Sequence, residues 1–317
     1  MSQELEGKSY EEINALIVEY YRANAYEQAI VCVSFARKKV GIEFGRQDSV
    51  YVEYTANLGF FYQKAGQYEK SEALYLEAQT LILNIYGKKN REYSSILNNL
   101  ASLYRIIGQY EMAESLHEEA KMIDKELFGG ESREYAVSLN NLALLYIDQK
   151  RYTAAESLLL RSMEIRGEYY GLDHFIYARA LNNLAGLYTK MKRYDEAVVL
   201  CKKATDIKRK KFGKEHLSYS NSIHNLAALY SLQKNYEKAE PLHLRALEIE
   251  ANFLGKNHPE YINSLNQLVR LYYLIGKEKL AWSYLQESGR AITQVNLSVN
   301  ITDFCLDTAT LLVSWIM

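Results

Sequence analysis

Six histidines and three cysteines are the side chains of this chain best suited to holding a metal or attacking a substrate. His174, His216 and His258 recur at a constant step of 42 residues. If that step is one structural unit, the three lie about one helical layer, roughly 10 Å, apart. Zinc needs its donors at about 2.0–2.1 Å, so this row does not read as a metal site. His117 and His243 share a second offset and read as exposed side chains on the outer half of their units. Cys201 takes the equivalent place, with no histidine or carboxylate fixed beside it by the repeat, so a Cys–His nucleophile is not expected. No glycine-rich phosphate loop and no G-x-S-x-G turn occurs. The expectation is a protein with no catalytic residues, no metal and no cofactor.

Composition sets the elements that must carry these residues. Two prolines in 317 residues, with 48% apolar and 24% charged side chains, favour a nearly all-helical chain, because a proline inside a helix costs about 3 kcal/mol. A net charge of −1 and a pI near 6.6 give counterion release little to act on, and no nucleic-acid partner is expected. The first residues, MSQELEGKSYEEINAL, lack the basic and then apolar regions of a secretory leader, and no apolar run reaches the ~18 residues of a membrane span. Cys32, Cys201 and Cys305 are odd in number and far apart, which suits a reducing compartment. A cytoplasmic protein that does not enter membranes is expected.

Sliding the chain against itself by 42 residues aligns N-L-x-x-L-Y again and again. Leu16, Leu58, Leu100, Leu142, Leu184, Leu226 and Leu268 keep the step, as do Tyr20, Tyr62, Tyr104, Tyr146, Tyr188, Tyr230 and Tyr272. A second tyrosine row runs from Tyr26 to Tyr236, and a third, Tyr51 to Tyr261, opens each unit. Small residues recur from Ala29 to Ala281 and from Ala36 to Ser288, and a glycine row from Gly45 to Gly255 closes six units. Around residue 100, Leu97, Leu100, Ala101 and Tyr104 form one helical stripe, helix A. After Gly108-Gln109, Tyr110, Ala113, Leu116, Ala120 and Ile123 form a second stripe, helix B, which Gly129 ends. A hairpin this small cannot bury its stripe alone, so the units must stack on one another. Most of the 28 tyrosines therefore read as structural.

The spacing of large and small residues in these hairpins resembles the tetratricopeptide repeat. Its 42-residue period, N-N-L-A-x-L-Y at 98–104, 140–146 and 182–188, and G-K-N-H-P at 255–259 are similar to the kinesin-light-chain type. The resemblance covers residues 10 to 290. It implies an all-α, right-handed superhelical solenoid of seven hairpins over residues 1–292, and a protein-interaction scaffold that holds a peptide in its concave groove. By that resemblance the groove row maps to Asn98, Asn140, Asn182, His224 and Asn266, whose amides can pair with a peptide backbone. Lys64, Arg105, Arg179, Lys190 and Arg270 fall on the same predicted face, which favours an acidic peptide or a terminal carboxylate. The adjacent row, Asn57, Asn99, Asn141, Asn183 and Asn225, reads as a brace between hairpins.

Residues 293–317 leave the pattern. T-L-L-V-S-W at 310–315 matches N-L-A-S-L-Y with a shift of one residue, which reads as a capping helix or the first helix of an eighth unit. Leu311, Leu312, Val313, Trp315 and Ile316 are apolar for a terminus, which reads as a helix tucked against unit seven or as one whose outer face meets a partner, a second copy or a downstream domain. Two alternative readings of the whole stay open: the sensing half of a larger effector, such as one with a CHAT-type protease domain, and a structural homo-oligomer.

Overall fold

A computed structural model describes residues 2–298, and the side chains of residues 4–293. The apolar residues 311–316, Cys305 and the shifted motif at 310–315 lie outside the described residues. Among the described residues every regular element is a helix. The chain divides into two compact units, residues 1–169 and 170–317.

In the first unit a short α1 (Ser2–Leu5) precedes the hairpins α2 (Tyr10–Arg22) with α3 (Tyr26–Glu43), and α4 (Ser49–Lys64) with α5 (Tyr68–Tyr86). Then come α6 (Arg91–Ile106) with α7 (Tyr110–Phe128), and α8 (Arg133–Asp148) with α9 (Tyr152–Tyr170). The second unit holds α10 (Phe175–Lys190) with α11 (Tyr194–Phe212), α12 (Leu217–Leu232) with α13 (Tyr236–Leu254), and α14 (Pro259–Leu274) with α15 (Glu278–Ser298). The even-numbered helices from α2 onward are the A helices of the repeat.

The hairpin turn is the same seven times. The backbone N–H five residues after each row tyrosine donates to that tyrosine's carbonyl, from Ala25 to Tyr20 at 2.8 Å through Lys277 to Tyr272 at 2.9 Å. This is the 6→1 bond that closes a helix around a left-handed residue. That residue is Gly66, Gly108 or Gly276 in three hairpins, but Asn24, Lys150, Lys192 and Lys234 in the others, with φ between 55° and 61°. The lysines accept a conformation that costs an L-residue about 1–2 kcal/mol because the turn bond and both flanking stripes fix it. Between hairpins, Gly129 at φ 87° caps α7, and Ser132 accepts from the N–H of Tyr135 to start α8.

No single centre holds the core. Ala29, Ser71, Ala113, Ala155, Ala197 and Ala239 are fully buried where the two helices of a hairpin cross, and at Gly59 an added Cβ would meet the Tyr75 ring at 3.1 Å. The anchor leucines from Leu58 to Leu268 are at most 7% exposed. Leu16, in the first hairpin, is half-buried, because only one neighbouring hairpin covers it.

Candidate functional site

The row of His174, His216 and His258 caps helices. Each side-chain Nδ1 accepts the backbone N–H two residues on, at 3.3, 3.0 and 3.2 Å, starting α10, α12 and α14. The rings of His174 and His216 stack on Tyr170 and Phe212 at 5.0 and 4.8 Å. Among the described residues no group of three or more His, Cys, Asp or Glu side chains is placed to hold a metal.

His117 and His243 are not exposed, as their offset had suggested. They are 0% and 2% accessible, because helix B turns this position toward the A helix of its own hairpin, against Asn98 and His224. In the first unit the His117 Nδ1 donates to the Oδ1 of Asn98 at 2.8 Å. The Nδ2 of Asn98 donates to Ser138 Oγ at 3.0 Å, and that hydroxyl donates to buried Asp124 at 2.5 Å. In the second unit the equivalent places hold His243, His224, Ser264 and Glu250. Ser264 Oγ meets His224 Nδ1 at 3.4 Å, the two imidazoles cross at 5.3 Å, and Ser220 Oγ donates to Glu250 at 2.8 Å. Burial above all lowers both His117 and His243 to about 4, with Arg105 and His224 adding to it respectively. Burial likewise raises Asp124 and Glu250. Cys201 is buried as well, and burial pushes its thiol up to about 11, away from nucleophilic chemistry.

The amide row therefore sits deeper than its predicted groove position. Asn98 and Asn140 are each 8% exposed. Asn182 accepts from Cys201 Sγ at 3.9 Å, Asn266 accepts from Ser288 at 2.9 Å, and His224 meets Ser264. The adjacent row is the more open one at Asn57 and Asn225, although Asn141 does brace, donating to Asn98 at 3.4 Å. The periodic pattern also passed over an ionisable row in which Asp124, Arg166 and Glu250 are buried and Lys208 is half-buried. Its signal was present: charged residues replace Val40 and Ile82 at one place in the helix B stripe.

The predicted cations divide by unit. In the first, Arg105 pairs with Asp148, and Lys64 lies over the Phe60 ring at 5.3 Å. In the second, Arg179, Lys190 and Arg270 are exposed on α10 and α14. Glu260 is the only carboxylate on α10, α12 and α14 together. Asn221, Asn225 and Asn263 are exposed on α12 and α14. Lys208 to Lys211 form a basic run, but it lies at the end of α11, where cations suit the helix dipole.

Residues 51–126, 134–210, 177–249 and 219–291 match the tetratricopeptide repeat family. The chain is a tetratricopeptide-repeat protein. Repeats of this family are in general protein-interaction modules and typically non-catalytic. No curated protein sequence matches the chain. Among solved structures, BtubC (BKLC) from P. vanneervenii is 24% identical, with 78% of this chain and 94% of that one covered at a TM-score of 0.58. A Podosopora anserina protein assigned to the kinesin light chains, with nearly identical TPR-like repeats, is 24% identical over 65% of this tetratricopeptide-repeat chain and 97% of its own, at 0.57. The apo form of RapI is 19% identical over 90% and 98%, at 0.60. At these identities the likeness concerns the fold. Among the described residues no helix is long and apolar enough to cross a membrane.

Proposed function

We propose that this protein is an adaptor that holds an acidic peptide segment against the exposed sides of α10, α12 and α14. The observation that carries the reading is the charge of these helices, where exposed Arg179 and Lys190 are present and Glu260 is the one carboxylate. Exposed Asn221, Asn225 and Asn263 add donors and acceptors that suit a peptide backbone of any sequence. Among the predicted row, Asn182, His224 and Asn266 lie on the same helices and hold the scaffold beneath. In the first unit Arg105 is already neutralised by Asp148, so that unit is the weaker candidate. Cys32 and Cys201 are buried free thiols, which supports a reducing, cytoplasmic setting.

The test is fluorescence anisotropy with a labelled oligo-glutamate peptide and its oligo-glutamine counterpart. Charge-assisted hydrogen bonds contribute about 1.5–3 kcal/mol each, so Arg179→Glu with Lys190→Glu should weaken glutamate-peptide binding at least ~tenfold. Arg105→Glu should leave it unchanged. Equal affinity for the two peptides, or no loss in the double variant, refutes the reading.

A further inference from the structure

A glutamate recurs on the B helices four residues after their first tyrosine, and three hairpins use it in the same way. Glu72, Glu114 and Glu240 accept the hydroxyl of the row tyrosine on the next A helix, from Tyr104, Tyr146 and Tyr272 at 2.8, 2.9 and 2.9 Å. Two of these carboxylates also take a cation, Arg151 donating to Glu114 at 2.8 Å and Lys277 to Glu240 at 3.3 Å. The arrangement is a phenol and a cation with a carboxylate between them.

In the second unit α11 departs from it. Val198 holds the glutamate's place, 8% exposed, before Tyr230 of α12. Tyr230 is 7% exposed, and its hydroxyl has no hydrogen-bond partner among the described residues. Gln149 donates to Glu114 at 3.4 Å, whereas its counterpart Gln233 turns to Asp195, at 2.7 Å.

Two cations stand at the same ring. Lys202 Nζ lies 6.0 Å and Lys238 Nζ 5.7 Å from the centroid of Tyr230. Both lysines are exposed, and neither has an ion pair among the described residues. At the three glutamate places the counterparts of Lys202 are Leu76, Glu118 and Leu244, and those of Lys238 are Met112, Ala154 and Leu280. The two lysines thus come together only where the glutamate is replaced. Tyr62 in the first unit gives the contrast: Ile30 replaces the glutamate, Ser34 stands at the place of Lys202, and Lys70 alone lies over the ring, at 5.3 Å. Two ammonium groups beside one phenol repel each other and leave its hydroxyl unused, and one carboxylate answers all three.

We propose that Tyr230, Lys202 and Lys238 bind a carboxylate from outside the chain, which takes the part that Glu72, Glu114 and Glu240 play in the other hairpins. The ligand class is read from the repeat itself, since the group bonded to this phenol elsewhere is a carboxylate. It is carried by a small dicarboxylate or by an acidic side chain of another protein. The site uses none of Arg179, Lys190 and Arg270, so it does not rest on the acidic-peptide reading, and the two fail separately.

The test is the thermal midpoint of the full chain against sodium glutarate, with sodium chloride at equal ionic strength as the reference. A ligand that binds only the folded chain raises the midpoint continuously with its concentration relative to Kd. Wild type should show this rise beyond the chloride reference. Replacing the two exposed lysines, Lys202→Gln with Lys238→Gln, should weaken the fitted affinity at least ~tenfold. Tyr230→Phe should weaken it several-fold, and Lys70→Gln should leave it unchanged. Val198→Glu, which supplies the carboxylate from within, should abolish the response. No rise beyond chloride in wild type, or the same curve in the double lysine variant, overturns the proposal, as does a full response in Val198→Glu. Acetylated and amidated Gly-Glu-Gly separates the two sources. Affinity equal to that of glutarate assigns an acidic side chain, and tighter binding of glutarate assigns a small dicarboxylate.

Discussion

Replacing His117 by leucine should reverse its effect on stability between neutral and acid pH. The imidazole is fully buried, with Asn98 as its hydrogen-bond partner and no partner at Nε2. Burial, with Arg105 adding to it, lowers its folded pKa from 6.5 to about 4. The unfolded chain takes up the proton first as pH falls, so the stability present above pH 6.5 is lost progressively down to about pH 4. At pH 4.5 the loss amounts to about 2–3 kcal/mol. Asp124 works in the opposite sense: burial raises its folded pKa, so acidification relieves the cost of keeping it ionised. The wild-type curve is the sum of both, and the difference between His117→Leu and wild type isolates the histidine. Leucine fits the site, since Leu159 holds the same place in the next hairpin at 1% exposure. At pH 7.5 the variant loses one hydrogen bond, of about 1 kcal/mol, and should be slightly the less stable. At pH 4.5 it should be the more stable, the offset having moved by about 2–3 kcal/mol. Urea unfolding followed by far-UV circular dichroism at the two pH values measures this. The same offset at both would refute the assignment of a buried, neutral His117.

Other consequences are equally direct. Leu142 is 1% exposed, and Leu142→Ala should cost about 2–5 kcal/mol. Leu16→Ala, at a half-buried place in the first hairpin, should cost measurably less in the same urea titration, and equal losses would argue against nearest-neighbour stacking. Lys150 holds a left-handed turn at φ 61°. Lys150→Gly should stabilise by about 0.5–1 kcal/mol, the relieved strain exceeding the entropy that glycine loses on folding, and a lower thermal midpoint would contradict this.

Much of the architecture was legible in the chain itself. The 42-residue step of Leu58, Leu100 and Leu142, the paired small residues and the closing glycines fix where each helix begins, ends and meets its partner, because the same local chemistry is repeated until no other period fits. The family follows from that step. Periodicity says which residues share a row, but not which row the next hairpin covers. Asn98 and Asn141 belong to neighbouring rows, and only the packing of α6, α7 and α8 decided that Asn98 is sealed between His117 and Ser138. The same packing buried His117 and His243, whose polar character had pointed outward. The cations Lys64, Arg105, Arg179, Lys190 and Arg270 lie on A helices, yet the availability of Arg105 depends on a partner far along the chain, Asp148. A side chain's exposure is set by the helix laid over it, and a charge's strength by the charge beside it. Both are relations between distant residues that only the folded stack brings together.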